Sequence, residues 1–149
     1  MRNQWFFLKL VFGVLLTVFV VLYPMLISIY VFLPLFIGFS GWMIVRGIEG
    51  EGSLYVLIPI VYLINLEINL SLPLMMAVFA TLLYYLTLFN RVMVFKRCKF
   101  CVAVLSVVLI DLYYLGSLMA YDLLMDTSSV VIDKLLWYSL IADVVLAVL

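Results

Sequence analysis

Two carboxylates set in apolar sequence carry the first chemical possibility. Asp111 interrupts the otherwise uncharged run Phe100–Tyr121, and Asp143 interrupts Leu135–Leu149. An acid at mid-bilayer depth costs ~2.5–3.5 kcal/mol on insertion scales, so each needs a reason to be there. Asp111 falls ~16 Å into one predicted span and Asp143 ~14 Å into the next. An antiparallel hairpin of the two spans brings the acids to similar depth. Two close carboxylates share a proton and titrate as a pair, which is what an intramembrane aspartyl hydrolase requires. The same residues also suit plainer tasks. One is a neutral, hydrogen-bonded acid that holds helices in register; another is a contact for a ligand, a proton or a partner.

A second polar group is Asn65, Glu67, Asn69 and Ser71, which lie between apolar flanks and just ahead of Pro73. Glu67 is ~20 Å from the start of its predicted span, near the outer surface. The spacing fits a wet hairpin tip, a polar pocket or a partner contact. Asp122, Asp126 and Asp133 mark a third region, a solvated loop without the residue spacing of a calcium loop. Cys98-Lys99-Phe100-Cys101 is a lone C-x-x-C in a chain with no histidine and no other cysteine. It lacks the four ligands of a zinc site. On a cytoplasmic face both thiols are expected to be reduced, as interfacial residues or an acyl-anchor site. Arg91, Lys96, Arg97 and Lys99 form a basic cluster with no acid among them, suited to anionic lipid headgroups and to fixing orientation. No cofactor or metal is implied. The absence of histidine excludes serine–histidine hydrolysis, and there is no glycine-rich phosphate loop.

Composition decides which elements must position these groups. Of 149 residues, 70% are apolar and 11% charged, with net charge zero; mean hydropathy is +1.39. A soluble domain is about half apolar and a quarter charged, so a water-soluble globule is excluded. Disorder and nucleic-acid binding are excluded by the same balance. The expectation is an all-α polytopic integral membrane protein, with residues 1–149 as one transmembrane domain. A span takes ~20 residues, so six take about 120 and leave no room for a soluble domain.

The predicted spans are Trp5–Tyr23, Met25–Val45, Leu54–Leu66, Pro73–Phe89, Phe100–Tyr121 and Lys134–Leu149. Leu10–Val45 holds no charge and would be ~54 Å long as one helix, so it must turn. Pro24 is the expected breaker, with Pro34 a kink in the second span. Arg46 to Ser53 is a charged, glycine-rich loop. Gly38, Ser40 and Gly41, like Ala77 and Ala80, suit close helix packing. Basic residues stay on the cytoplasmic side. Arg2, Lys9, Arg46 and the Arg91–Lys99 loop then all fall inside, with both termini, and Asp122–Asp133 falls outside.

Tyr62-Leu-Ile-Asn-Leu-Glu67-Ile-Asn-Leu-Ser71-Leu-Pro73-Leu, followed by apolar Met75–Leu86, resembles the core of the MreD rod-shape-determining proteins. In that family an acid ends an apolar helix, a short Ser/Gly-Pro-Leu turn follows, and a further apolar helix begins. Length and span layout are also similar. The family usually has Asp at the position of Glu67, and glycines where this chain has Asn69 and Leu72. The resemblance implies a non-enzymatic scaffold in a bacterial inner membrane, partnering MreC and the peptidoglycan synthases of the cell-elongation complex. The layout is also similar to the substrate-binding S-components of vitamin transporters. That similarity implies the alternative of a membrane subunit holding a small molecule near Glu67 or Asp111. Lipoprotein signal peptidase is similar only in size and in having two membrane aspartates; its motifs are not matched.

Overall fold

A computed structural model describes residues 2–30, 33–95, 98–126 and 134–148. Among these there is helix and turn but no strand. The order is α1 (Arg2–Ile29), α2 (Ile37–Arg46), a π-type turn (Gly47–Glu51), α3 (Leu54–Asn69), α4 (Met76–Thr87), α5 (Phe89–Val92), a 3₁₀ turn (Met93–Phe95), α6 (Lys99–Met125) and α7 (Lys134–Val148). Among the described residues, two stretches are long and apolar enough to cross a membrane: Leu10–Ile29 in α1, and α6. Helices α3, α4 and α7 have 16, 12 and 15 residues.

The first break lies elsewhere than expected. Pro24 sits inside α1, and the helix runs on to Ile29. A proline removes one amide donor, here the one that would bond the Val20 carbonyl. Asn65 on α3 supplies the missing donor: its Nδ2 donates to Val20 O and Val21 O, each at 3.1 Å. This side-chain repair is what lets a proline stay inside an apolar helix. Met25–Ile29 therefore belongs to the first helix and not to the second span. Pro34 is not a kink in a helix either, because it lies in the non-helical segment before α2.

That segment is held from several sides. Tyr23 Oη donates to Pro34 O at 3.0 Å and Tyr62 Oη to Leu35 O at 2.9 Å. Leu35 N donates to Ser139 Oγ on α7 at 3.0 Å. Phe36 adopts the left-handed conformation, and α2 starts at Ile37. Helix α2 is short, ten residues, and packs against α3, α4, α6 and α7. Its small residues permit this. A Cβ on Gly41 would lie 2.7 Å from Ile110 Cγ2 and 2.8 Å from Thr81 Oγ1. Ala77 and Ala80 on α4 are fully buried. Helix α1 is peripheral and packs on α3.

Helix α4 is shorter than the predicted span, Met76–Thr87 against Pro73–Phe89, whereas two other helices run further. Helix α3 tolerates Pro59 and extends to Asn69. Helix α6 runs from Lys99 through Asp122 to Met125, so Asp122 is helical and not part of a loop. Arg46 and Glu51 form an exposed ion pair across the turn after α2.

Candidate functional site

Helices α6 and α7 bring Asp111 and Asp143 together at the first turn of α2. Gly38 N donates to Asp143 Oδ2 at 2.9 Å, and the Phe39 amide lies near this carboxyl. The Asp111 and Asp143 carboxyl groups are within hydrogen-bonding reach of each other. Asp143 is fully buried. Asp111 is partly buried, with its carboxyl close to Gly38. One oxygen of each, Asp111 Oδ2 and Asp143 Oδ1, is buried without a protein donor. Gly38 makes the approach possible, since a Cβ there would lie 2.6 Å from Asp111 Oδ2.

The placement has a local cause. The first amides of a helix have no intrahelical acceptor, and the helix dipole makes that end positive. A buried N-terminus therefore needs acceptors, and an acid supplies them best. Phe36, the residue before α2, makes no side-chain cap, so the acceptors come from α7 and α6. On α7, Ser139 and Asp143 are one turn apart and both serve this segment.

Glu67 does the same for α4. Its Oε1 accepts from Ala77 N at 2.7 Å, and the Met75 and Met76 amides lie near it. Met75, before α4, is left-handed and makes no side-chain cap. Glu67 Oε2 and the Tyr114 hydroxyl are both buried without a hydrogen-bond partner. Glu67 is fully buried, so it is not a wet hairpin tip. The other members of that group part company with it. Asn69 Nδ2 donates to Asn65 Oδ1 at 2.9 Å and aims the Asn65 amide at α1. Ser71 is exposed and contributes a left-handed turn residue.

The basic cluster is visible in part. Arg91 and Lys99 are exposed; Lys96 and Arg97 lie outside the described residues, as does Asp133. Cys98 and Cys101 are joined by a disulfide, contrary to the expectation of free thiols. The physical reason is local: the helix start puts their Cα atoms 5.2 Å apart, inside the range a disulfide spans.

An apolar groove of ≈ 570 Å³ runs between α1, α2 and α3, lined by Phe19, Tyr23, Phe39 and Ile58, with Leu146 from α7. A second, of ≈ 560 Å³, lies between α4 and α6. Neither Glu67 nor Asp111 lines either groove.

Sequence reasoning found both acids of the pair but missed Gly38 as their partner, and missed Ser139, Tyr23 and Tyr62 as supports. The Ser139–Asp143 spacing of four residues, one helical face, was the available signal. Against protein-family models, curated proteins and solved structures, the chain has no match.

Proposed function

We propose that this chain is a six-crossing subunit of a bacterial inner membrane, with both termini cytoplasmic. It works without catalysis, through contacts with other membrane proteins, as the resemblance to the MreD family implies. The supporting observation is the hairpin between α3 and α4. Glu67 at the end of one apolar helix reaches over Ser71-Leu72-Pro73 to cap the next at Ala77. That gives the resembling residues one physical job.

A membrane location is supported by the apolar surface and by α1 and α6; the other helices are shorter than a ~30 Å hydrocarbon core. At ~1.5 Å per residue, α3 and α7 are ~24 and ~22 Å long, and α4 is ~18 Å. Helix α2 is ~15 Å. The outward faces are apolar: Phe12 is 68% exposed, Leu86 74% and Leu123 86%. A surface of this kind suits lipid or partner helices and not water.

The test is gentle solubilisation of native membranes followed by affinity isolation of the tagged chain. Recovery with an MreC-like protein and cell-wall synthases, and rounded cells on depletion, is the expected result. A lone monomer with no effect on cell shape overturns it. A co-purified vitamin-sized molecule would replace it with the transporter-subunit reading. Peptide hydrolysis in the bilayer, lost in Asp111→Asn, would replace it with an aspartyl hydrolase.

A further inference from the structure

The Asp111–Asp143 pair holds more acceptor capacity than α2 uses. Gly38 and Phe39 offer two amides. Two carboxyl groups offer four oxygens, and one oxygen on each side is buried without a donor. No cationic side chain pairs with either acid among the described residues. An ionised carboxylate can only accept, so two of them within hydrogen-bonding reach have nothing to share. Buried polar atoms left in that state are costly. A single hydrogen between the carboxyls removes the problem: one group donates, the other accepts.

We propose that Asp111 and Asp143 form a binding site for one proton, and that the bound proton clamps the start of α2 to α6 and α7. The geometry selects a proton over a metal ion. No group of three or more acids, cysteines or histidines that could hold a metal occurs among the described residues. Metal ions of the calcium type take six to eight oxygens, and zinc takes four ligands.

Among the described residues, the surrounding elements add no competing charge. Helix α1 presents the Tyr23 hydroxyl and α3 the Tyr62 hydroxyl, each donating to the backbone of the 34–35 segment. Helix α7 adds Tyr138 near Tyr23. Helix α4 faces α2 with Thr81 at Gly41. Arg46 lies at the far end of α2, paired with Glu51. Loss of the proton leaves two negative charges against two amides. The pair then repels across the α6–α7 interface, and the start of α2 loses part of its anchorage. Ser139, Tyr23 and Tyr62 still hold the segment before it. The device thus couples a proton to the seating of one short helix.

Infrared difference spectroscopy reads the protonated carboxyl directly. The full chain is placed in vesicles of phosphatidylethanolamine and phosphatidylglycerol and titrated from neutral to alkaline pH. The expected result is one carboxylic-acid carbonyl band per chain that is sensitive to deuterium exchange and lost as pH rises. It disappears in Asp111→Asn and in Asp143→Asn but persists in Glu67→Gln, which separates it from the other buried acid. Each Asn variant replaces the shared hydrogen with an amide donor, so helix content is retained and the thermal midpoint no longer moves with pH. A band that survives both Asn variants overturns the proposal. So does a wild-type midpoint that follows sodium concentration and ignores pH. This test leaves the partner-subunit reading untouched, because no partner protein is present.

Discussion

Two helices in this molecule begin in the protein interior, and each is capped by an acid from elsewhere in the chain. At α4 there is one acid, Glu67, on the Ala77 amide. At α2 there are two, Asp143 on the Gly38 amide and Asp111 beside it. Both sites leave a carboxyl oxygen unpartnered, but what lies next to it differs. Near Glu67 is the Tyr114 hydroxyl, also unpartnered, and a hydroxyl can donate. Near the free oxygen of Asp143 is a second carboxyl, which can donate only if it carries a hydrogen. One acid is enough to start a helix, as α4 shows. The second acid at α2 therefore has a use beyond capping.

The sharpest way to break this comparison is to remove each cap. Asp143→Ala strips the acceptor from Gly38 and leaves Asp111 buried alone; the expected destabilisation is about 3 kcal/mol. Glu67→Ala exposes one helix start and strands no second acid, so about 2 kcal/mol is expected. Reversible unfolding in mixed micelles, followed by circular dichroism, measures both. Equal losses at the two sites would mean that Asp111 is not coupled to Asp143. Gly38→Ala sharpens the same point from the backbone side. Its Cβ would enter the Asp111 carboxyl, and a clash of this kind costs about 1–3 kcal/mol. Asp111→Ala in the same chain should relieve most of that loss, because the two changes share one contact.

The all-helical class was legible in the sequence because unbroken apolar runs leave few alternatives. The two acids of the pair were legible because a charge inside such a run stands out. Their meeting followed from depth, since Asp111 and Asp143 lie at matching distances from a common loop. What escaped was the helix start they serve. The segment before α2 contains Pro34, as strong a local breaker as Pro24, and local propensity alone does not choose between the two. The deciding residue, Asn65, is 41 positions away in sequence from Pro24 and acts only through tertiary contact. A wet hairpin tip stood among the readings of Glu67, beside a polar pocket and a partner contact, because its neighbours Asn65, Asn69 and Ser71 are polar. The structure gives each of those a separate task, and the acid goes inward.

The Asn65 repair makes a smaller, reciprocal prediction. Asn65→Leu should cost about 1 kcal/mol, the value of one buried hydrogen bond left unmade. Pro24→Ala restores the missing amide donor to Val20 O, so in the double variant the loss should vanish. A double-mutant cycle measures this coupling. Additive effects would show that Asn65 stabilises α1 by some route other than its proline.

The smallest effect on stability, and the most informative about orientation, concerns Cys98 and Cys101. The fold brings them to bonding distance at the start of α6. The basic residues Arg91, ahead of the pair, and Lys99, between the two cysteines, argue for the cytoplasmic face, where thiols are kept reduced. A bridge that closes so short a loop adds little stability, so its presence reports compartment more than fold. Alkylation of native membranes without reductant, followed by mass spectrometry, reads the state directly. Two alkylated cysteines are expected if the loop is cytoplasmic. An intact bridge in freshly isolated membranes would place this loop on the oxidising side. It would also invert the proposed orientation and move Asp126 to the side where Arg91 was assigned.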